Sequence, residues 1–203
     1  MTTVGALVLS VLTAFTAPAV PSPSDVVWTA DDTQSNVTLS ISELLFAKIG
    51  GMIPIQSATI VTTDGGVPLE VDATLDAALL DTHNPGRDAQ LRSQKFFNVA
   101  RFPTIGFASE RVTATGPQSF AIDGELSMRG VTHPLHLDGA VTGVRRDADG
   151  RERARYEATG RFRRSDYGIT YANVVVSDEV ALDIVIEASA PPPASTSAPA
   201  AVR

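Results

Sequence analysis

The stretch that decides the fold is Asp81-Thr82-His83-Asn84-Pro85-Gly86-Arg87-Asp88-Ala89-Gln90-Leu91-Arg92-Ser93-Gln94-Lys95-Phe96-Phe97-Asn98-Val99-Ala100-Arg101-Phe102-Pro103-Thr104-Ile105-Gly106-Phe107-Ala108-Ser109. It is the one long interval where the period-2 alternation of apolar and polar residues lapses. Asn84-Pro85-Gly86 reads as a turn. Arg87 to Phe97 holds good helix formers with Leu91 and Phe96 able to face inward, which predicts a helix over 87–97. Pro103 then returns the chain to extended geometry.

On both sides the sequence reads as strand. Val37, Leu39 and Ile41 alternate with Thr38, Ser40 and Ser42. Glu43 to Ile49 suits a short helical turn ended by Gly50-Gly51, and Ile55 to Thr62 is the next strand. Asp64-Gly65-Gly66 predicts a hairpin into Val67, Leu69, Val71, Ala73, Leu75 and Ala77, an inward row opposed by polar residues. Beyond the helical stretch, Ile105 and Phe107 open a strand. Phe120, Ile122, Gly124, Leu126 and Met128 form one inward row; Val131, His133, Leu135, Leu137, Gly139, Val141 and Gly143 form the next. Ala154 to Phe162 and Val180 to Ala188 repeat the pattern. Long amphipathic strands, tight turns and one helical interruption predict an all-β fold: an antiparallel up-and-down β-barrel of about eight strands.

A small barrel fills with its own side chains or encloses a cavity. The small residues at inward positions, Ala73, Ala77, Gly124, Gly139, Gly143, Ala154, Ala158 and Gly160, favour an apolar tunnel, with a filled core as the alternative. The candidate lining is Phe46, Met52, Phe97, Phe107, Phe120, Ile122, Leu126, Met128, Leu135, Leu137, Tyr156, Phe162 and Tyr167. Such a tunnel selects long hydrocarbon, because each buried CH₂ contributes about 0.8 kcal/mol.

Catalytic signals are sparse. There are no cysteines and three histidines, and neither a Gly-x-Ser-x-Gly nor a phosphate loop. His133 and His136 point to opposite faces of one strand and cannot chelate together. His133 and Arg164 fall in the inward phase, and a meander brings both to the barrel end that also receives Arg87, Arg92 and Lys95. Two readings stay open: a polar group that meets an anionic or polar lipid head, or an Arg164–Asp166 structural ion pair. No metal and no catalytic residue is assigned.

The ordered motifs Thr82, Arg87-Asp88, Leu91-Arg92-Ser93, Phe96-Phe97, Phe102-Pro103, Phe107-Ala108-Ser109, Gly124-Glu125-Leu126, Arg129-Gly130-Val131-Thr132-His133-Pro134, Arg164-Ser165-Asp166-Tyr167-Gly168 and Val176-Ser177-Asp178-Glu179-Val180 run through residues 26–188. They resemble the signature of the YceI-like family of lipid- and polyisoprenoid-binding proteins. One local departure is Gly51-Met52-Ile53, where the family usually has Gly-x-Phe. The resemblance implies an extended lipocalin-like barrel holding a polyisoprenoid or similar long-chain amphiphile, for transport, storage or sequestration and without turnover. It implies no cofactor beyond a bound isoprenoid- or quinone-like lipid. Rival readings are a β-barrel enzyme acting on an apolar substrate and a filled structural or adhesion module.

The chain has 203 residues, 43% of them hydrophobic, and a net charge of −7. That length supports one sizeable core, and the charge argues against a nucleic-acid partner. A second copy of the chain is a candidate partner. Residues 4–15 are apolar but too short to span a bilayer, and Ala17-Pro18-Ala19 offers a small-x-small cleavage site, so residues 1–19 read as a secretory signal. The first cation of the chain is Lys48, so the usual positive n-region is missing, and an uncleaved anchor is the alternative to a cleaved signal. Residues 20–25 read as a linker, 26–188 as the barrel and 189–203 as a disordered Pro/Ala/Ser tail. The expected location is periplasmic or secreted.

Overall fold

Antiparallel ladders account for most of the backbone in the computed structural model, which describes residues 25–43, 47–63, 66–148, 150–172 and 176–190. Among these residues nine strands form one sheet: β1 (Val26–Ala30), β2 (Asn36–Glu43), β3 (Ala47–Thr62), β4 (Pro68–Asp76), β5 (Thr104–Ala114), β6 (Ser119–Met128), β7 (Val131–Arg146), β8 (Glu152–Arg163) and β9 (Val176–Ala190). From β2 to β9 each strand pairs with its successor, and β9 pairs back onto β2, which closes the sheet. β1 and β2 share one position between β3 and β9. β2 covers the first half of β3, from Ala47 to Pro54, and β1 covers Thr59 to Thr62. The result is a closed up-and-down barrel of eight strand positions.

The inward rows of β6, β8 and β9 follow the sequence pattern. Phe120, Ile122, Leu126 and Met128, then Ala154 and Tyr156, then Leu182, Ile186 and Ala188 are all buried in one core. Arg129-Gly130 joins β6 to β7 with both residues at positive φ, 56° and 76°. This mirror-image two-residue turn has the twist that a tight hairpin needs.

Bulges break the simple alternation elsewhere. On β4 Val61 pairs with Glu70 and Thr62 with Pro68, so Leu69 is the extra residue. Leu69, expected inside, is half exposed, and Pro68 is buried in its place. A second bulge between Val141 and Gly143 leaves Gly143 outside. Val131, also expected inside, is exposed at the turn.

The helical turn expected over Glu43–Ile49 is not formed: Glu43 pairs with Ala47 across a β2–β3 hairpin, and Gly50 and Gly51 lie within β3. Residues 44–46, Phe46 among them, lie outside the described residues, as do Asp64-Gly65 of the expected β3–β4 turn. The leader and most of the tail are outside them too. β9 continues through Ser189 and Ala190, two residues beyond the expected barrel boundary.

The interruption is a short 3-10 helix, Ala77–Leu79, followed by α1, Pro85–Arg92. Asn84-Pro85-Gly86 opens the helix and is not a separate turn. The Asn84 side chain accepts from the Arg87 N–H, and Pro85 occupies the first turn, where a missing N–H costs nothing. α1 stops at Arg92, short of the expected Phe97. Phe97 N–H donates back to Leu91 O, and Asn98 N–H to Ser93 O. That fold-back turns Phe96 and Phe97 toward the barrel.

Three of the small inward residues, all glycines, have a different use from the one expected. A Cβ on Gly124 would lie 2.5 Å from Ala108 O and 2.8 Å from Phe107 Cζ. On Gly139 it would lie 2.5 Å from Phe120 Cε2, and on Gly160 2.5 Å from Leu137 Cδ2. These glycines seat large neighbours against the backbone; they do not leave empty space. Gly124→Ala and Gly160→Ala are therefore expected to cost about 1–3 kcal/mol each. Gly143→Ala, with nothing within 4 Å of the new methyl, is expected to be near neutral. Urea unfolding of the three variants checks this.

Candidate functional site

The far end of the barrel, away from α1, is packed shut. Trp28 pairs with Ile60 across β1 and β3, is buried, and donates from its indole N–H to Thr62 Oγ1 at 2.8 Å. Inside this plug lies a cavity of about 100 Å³ whose wall is wholly apolar. All strand positions contribute: Val37 and Leu39, Ile53 and Ile55, Val71 and Ala73, Ile105 and Phe107, Phe120 to Met128, Leu135 and Leu137, Tyr156 and Phe162, and Leu182 to Ile186. Nine of the candidate lining residues are here: Phe107, Phe120, Ile122, Leu126, Met128, Leu135, Leu137, Tyr156 and Phe162.

A second chamber of about 340 Å³ sits at the α1 end and shares Leu39, Ile53 and Phe162 with the first. Its wall comes from β2 and β3, Leu80, Thr82, the α1 residues Arg87, Gln90 and Leu91, then Phe96 and Phe97, and Ile169, Tyr171, Ala172 and Val176. Met52 and Phe97 of the candidate set line it. Met52 and Tyr171 are at once chamber wall and exposed surface, at 38% and 43%, so they mark the opening. The two chambers adjoin across Leu39, Ile53 and Phe162, the larger outside and the smaller inside.

α1 is held at this opening by a polar bracket. Asp88, buried, accepts from Thr82 N–H at 2.9 Å and Thr82 Oγ1 at 2.5 Å. Arg87 donates to Thr82 Oγ1 and to Thr82 O, and Arg92 to Ala78 O and Leu80 O. The Thr82 hydroxyl bond, chiefly, holds the Asp88 carboxyl below the usual carboxylate range, with help from the Arg92 and Arg87 charges. Gly51 makes room for the bracket: a Cβ there would lie 2.7 Å from Thr82 Cγ2.

Arg164 and His133 do come to this end, as the meander required, but to different places. Arg164 is 4% exposed and lines the outer chamber. Among the described residues its guanidinium donates to the backbone carbonyls of Ile169, Tyr171, Val176 and Ser177. Burial lowers its pKa and the Asp178 carboxylate opposes that. It ties down the loop between β8 and β9, and the side-chain partner Asp166 is replaced by main chain. Asp178 meanwhile accepts from Ser165 N–H and Oγ. His133 lies on neither chamber wall. Its Nε2 is 3.0 Å from Asp166 O and its ring meets Tyr167 edge to face at 5.3 Å. Tyr167, also in the candidate lining, is buried behind Phe162 instead. Burial pushes its phenol up to about 12, Asp166 adding to the shift. Tyr156 is shifted upward by burial alone.

The YceI-like domain model matches residues 28–188. This chain belongs to the YceI-like family. A UPF0312 protein of Enterobacter sp. (strain 638) is 40% identical over 118 residues, and Protein YceI of Salmonella arizonae 37%. Each match covers 58% of this chain and 61% of the relative, so the chain spans less than two thirds of these relatives' length. Among solved structures, a Campylobacter jejuni YceI protein is 25% identical with a TM-score of 0.64, covering 73% of this chain and 89% of that one. Burkholderia cenocepacia BcnA (16% identical, TM-score 0.66, 78% and 98% covered) shares the fold. So does a polyisoprenoid binding domain from Saccharophagus degradans (16%, 0.57, 82% and 99%).

Many wall residues of this YceI-like barrel were absent from the candidate set. Val37, Leu39, Leu182, Ile184 and Ile186 carried a readable signal, the period-2 alternation of β2 and β9. Leu80, Ile169 and Tyr171 carried none, since they sit in irregular segments whose path only the tertiary structure sets. No group of three or more His, Asp or Glu is placed to hold a metal among the described residues.

Two outcomes follow. Arg164→Met strands four carbonyls and is expected to lower stability by at least about 2 kcal/mol in urea unfolding. Asp88 has a depressed folded pKa, so its contribution is complete above the unfolded value of about 3.9 and fades as pH falls through the lower, folded value. Unfolding measured from pH 6 down to pH 2 should fall more steeply in the wild type than in Asp88→Asn.

Proposed function

We propose that this protein is an exported binding protein that holds a polyisoprenoid or similar long-chain amphiphile, with the chain in the inner chamber and the more polar end in the outer one. The observation that carries this reading is the pair of adjoining cavities: an apolar inner one of about 100 Å³ that shares Leu39, Ile53 and Phe162 with an outer chamber of about 340 Å³ whose wall includes a few polar groups. Ligand sites of this kind are mostly apolar with a small number of placed polar groups, and run from about 300 to 1,000 Å³. The family assignment and the fold shared with a polyisoprenoid binding domain support the same ligand class. Of the polar side chains on the outer wall, Gln90 and Ser40 lie outside the α1 bracket and face a head group, while Thr82 and Arg87 are engaged in the bracket and Arg164 with main-chain carbonyls.

Binding without turnover fits the chemistry of the walls. Among the described residues the inner chamber offers no acid, base or nucleophile apart from the Tyr156 phenol, whose ionisation burial opposes. The apolar leader at residues 4–15 supports export, and the periplasm or the exterior is where such a carrier would work.

Native mass spectrometry of protein purified without detergent, followed by organic extraction, tests the reading. A co-purifying lipid of discrete mass is expected. Ala158, on the inner wall, gives the control: Ala158→Phe should fill the chamber and abolish the adduct at a stability cost of about 1–3 kcal/mol. Empty wild-type protein that also fails to take up added prenol would overturn the proposal.

A further inference from the structure

One segment on the rim of the outer chamber has a charge opposite to that of the molecule. The chain as a whole carries −7. Between Pro85 and Phe102, however, Arg87, Arg92, Lys95 and Arg101 face a single carboxylate, Asp88, and that one is buried in hydrogen bonds from Thr82. The β6–β7 turn adds Arg129, which donates to Gln94 O and so lies against the same segment. Arg87 and Arg92 are spent on the bracket, but Lys95 and Arg101 are exposed.

Both exposed cations lie over aromatic rings. Lys95 Nζ is 4.7 Å from the centre of Tyr171, and Arg101 Cζ is 5.1 Å from that of Phe102. Tyr171 also packs edge to face on Phe96. The exposed side chains Tyr171 and Met52 frame the opening. Among the described carboxylates of this end, Glu179 pairs with Arg161, while Asp76 caps the 3-10 helix, Asp81 lies 3.3 Å from His83 and Asp178 accepts from Ser165. Asp166 is exposed on the side of His133. Amphipathic aromatics beside basic side chains are the grammar of a surface that sits at the level of lipid headgroups.

We propose that this rim docks on an anionic bilayer. Lys95, Arg101 and Arg129 meet lipid phosphates while Tyr171 and Met52 enter the interface, so the outer chamber opens toward the membrane. The inference rests on the lipid-binding reading for its purpose but is tested apart from it. Each basic residue near such a surface is worth about fivefold in partitioning, so a triple reversal should cost roughly 100-fold or more.

Full-length protein is sedimented with vesicles of phosphatidylcholine alone and of phosphatidylcholine with phosphatidylglycerol. Binding is expected to the anionic vesicles only, to weaken as salt rises, and to fall at least 100-fold in Lys95→Glu/Arg101→Glu/Arg129→Glu. A far-end variant of equal charge, Arg145→Glu/Arg146→Glu/Arg151→Glu, should retain it. Circular dichroism melts screen both for folding, and Lys95→Gln/Arg101→Gln serves if the triple variant unfolds. Equal binding to both vesicles, no binding to either, or equal loss in the far-end variant would overturn the proposal. Organic extraction of the same samples reads ligand content separately. An empty protein that still sediments would refute the ligand reading alone, and a loaded protein that never sediments would refute docking alone.

Discussion

Closure of the sheet through β3 is the constraint on which the rest depends. β3 is 16 residues long, long enough to take β2 and then β1 along one edge while its second half takes β4 along the other. Because β9 pairs with both β2 and β1, the ring closes everywhere except beside the first half of β3. Closure removes the exposed edges on which an open sheet would aggregate. It also leaves each strand only two faces, one wet and one enclosed. The enclosed faces cannot approach each other further than the ring allows, so the interior volume is set by strand number and by what the inward side chains fill.

At the far end they fill it, with Trp28, Phe120 and Tyr156 among the buried residues. At the other end the ring is incomplete for a few residues: β3 before Ile55 has no β4 partner, and a single bridge from Met52 to Asp81 takes over. The chain uses that gap to hold α1 and the outer chamber. A helix there must be fixed by polar groups, since it presents little apolar surface; of α1, Asp88 is the buried residue. The Thr82–Asp88–Arg87 cluster and the Arg92 contacts to Ala78 and Leu80 do this, and the Arg164 contacts fix the opposite side of the opening. The polar signature residues thus hold the opening in shape, while the apolar residues between them make its wall.

The barrel and its helical interruption were legible because period-2 alternation and the Asn84-Pro85 start of α1 are local signals. Bulges were not: Leu69 fits the alternation perfectly and still points out, because one extra residue between Val61 and Thr62 pairings shifts the phase. The glycines misled for a related reason. Gly124, Gly139 and Gly160 lie inward as read, but a missing side chain reports room without saying who takes it, and Phe107, Phe120 and Leu137 do. Arg164 illustrates a third limit. Its inward phase was readable, yet its partners are backbone carbonyls up to 13 residues away, which no pattern of side chains announces. Phe107, Phe120 to Met128, Leu135 and Leu137 were found on the wall because regular strands carry them there.

The central claim is that an apolar chain enters from the α1 end and occupies the narrow inner chamber. Its most direct test is the dependence of affinity on chain length, measured by displacement of a fluorescent fatty probe with a homologous series of n-alcohols or prenols. If the chain threads inward, Kd should tighten about fourfold per added methylene, as about 0.8 kcal/mol per CH₂ requires, and then level off when the inner chamber is full. Ala73→Phe, on the inner wall, should bring the plateau to shorter chains. Affinity that does not change with chain length, or a plateau that the substitution leaves in place, would contradict the account.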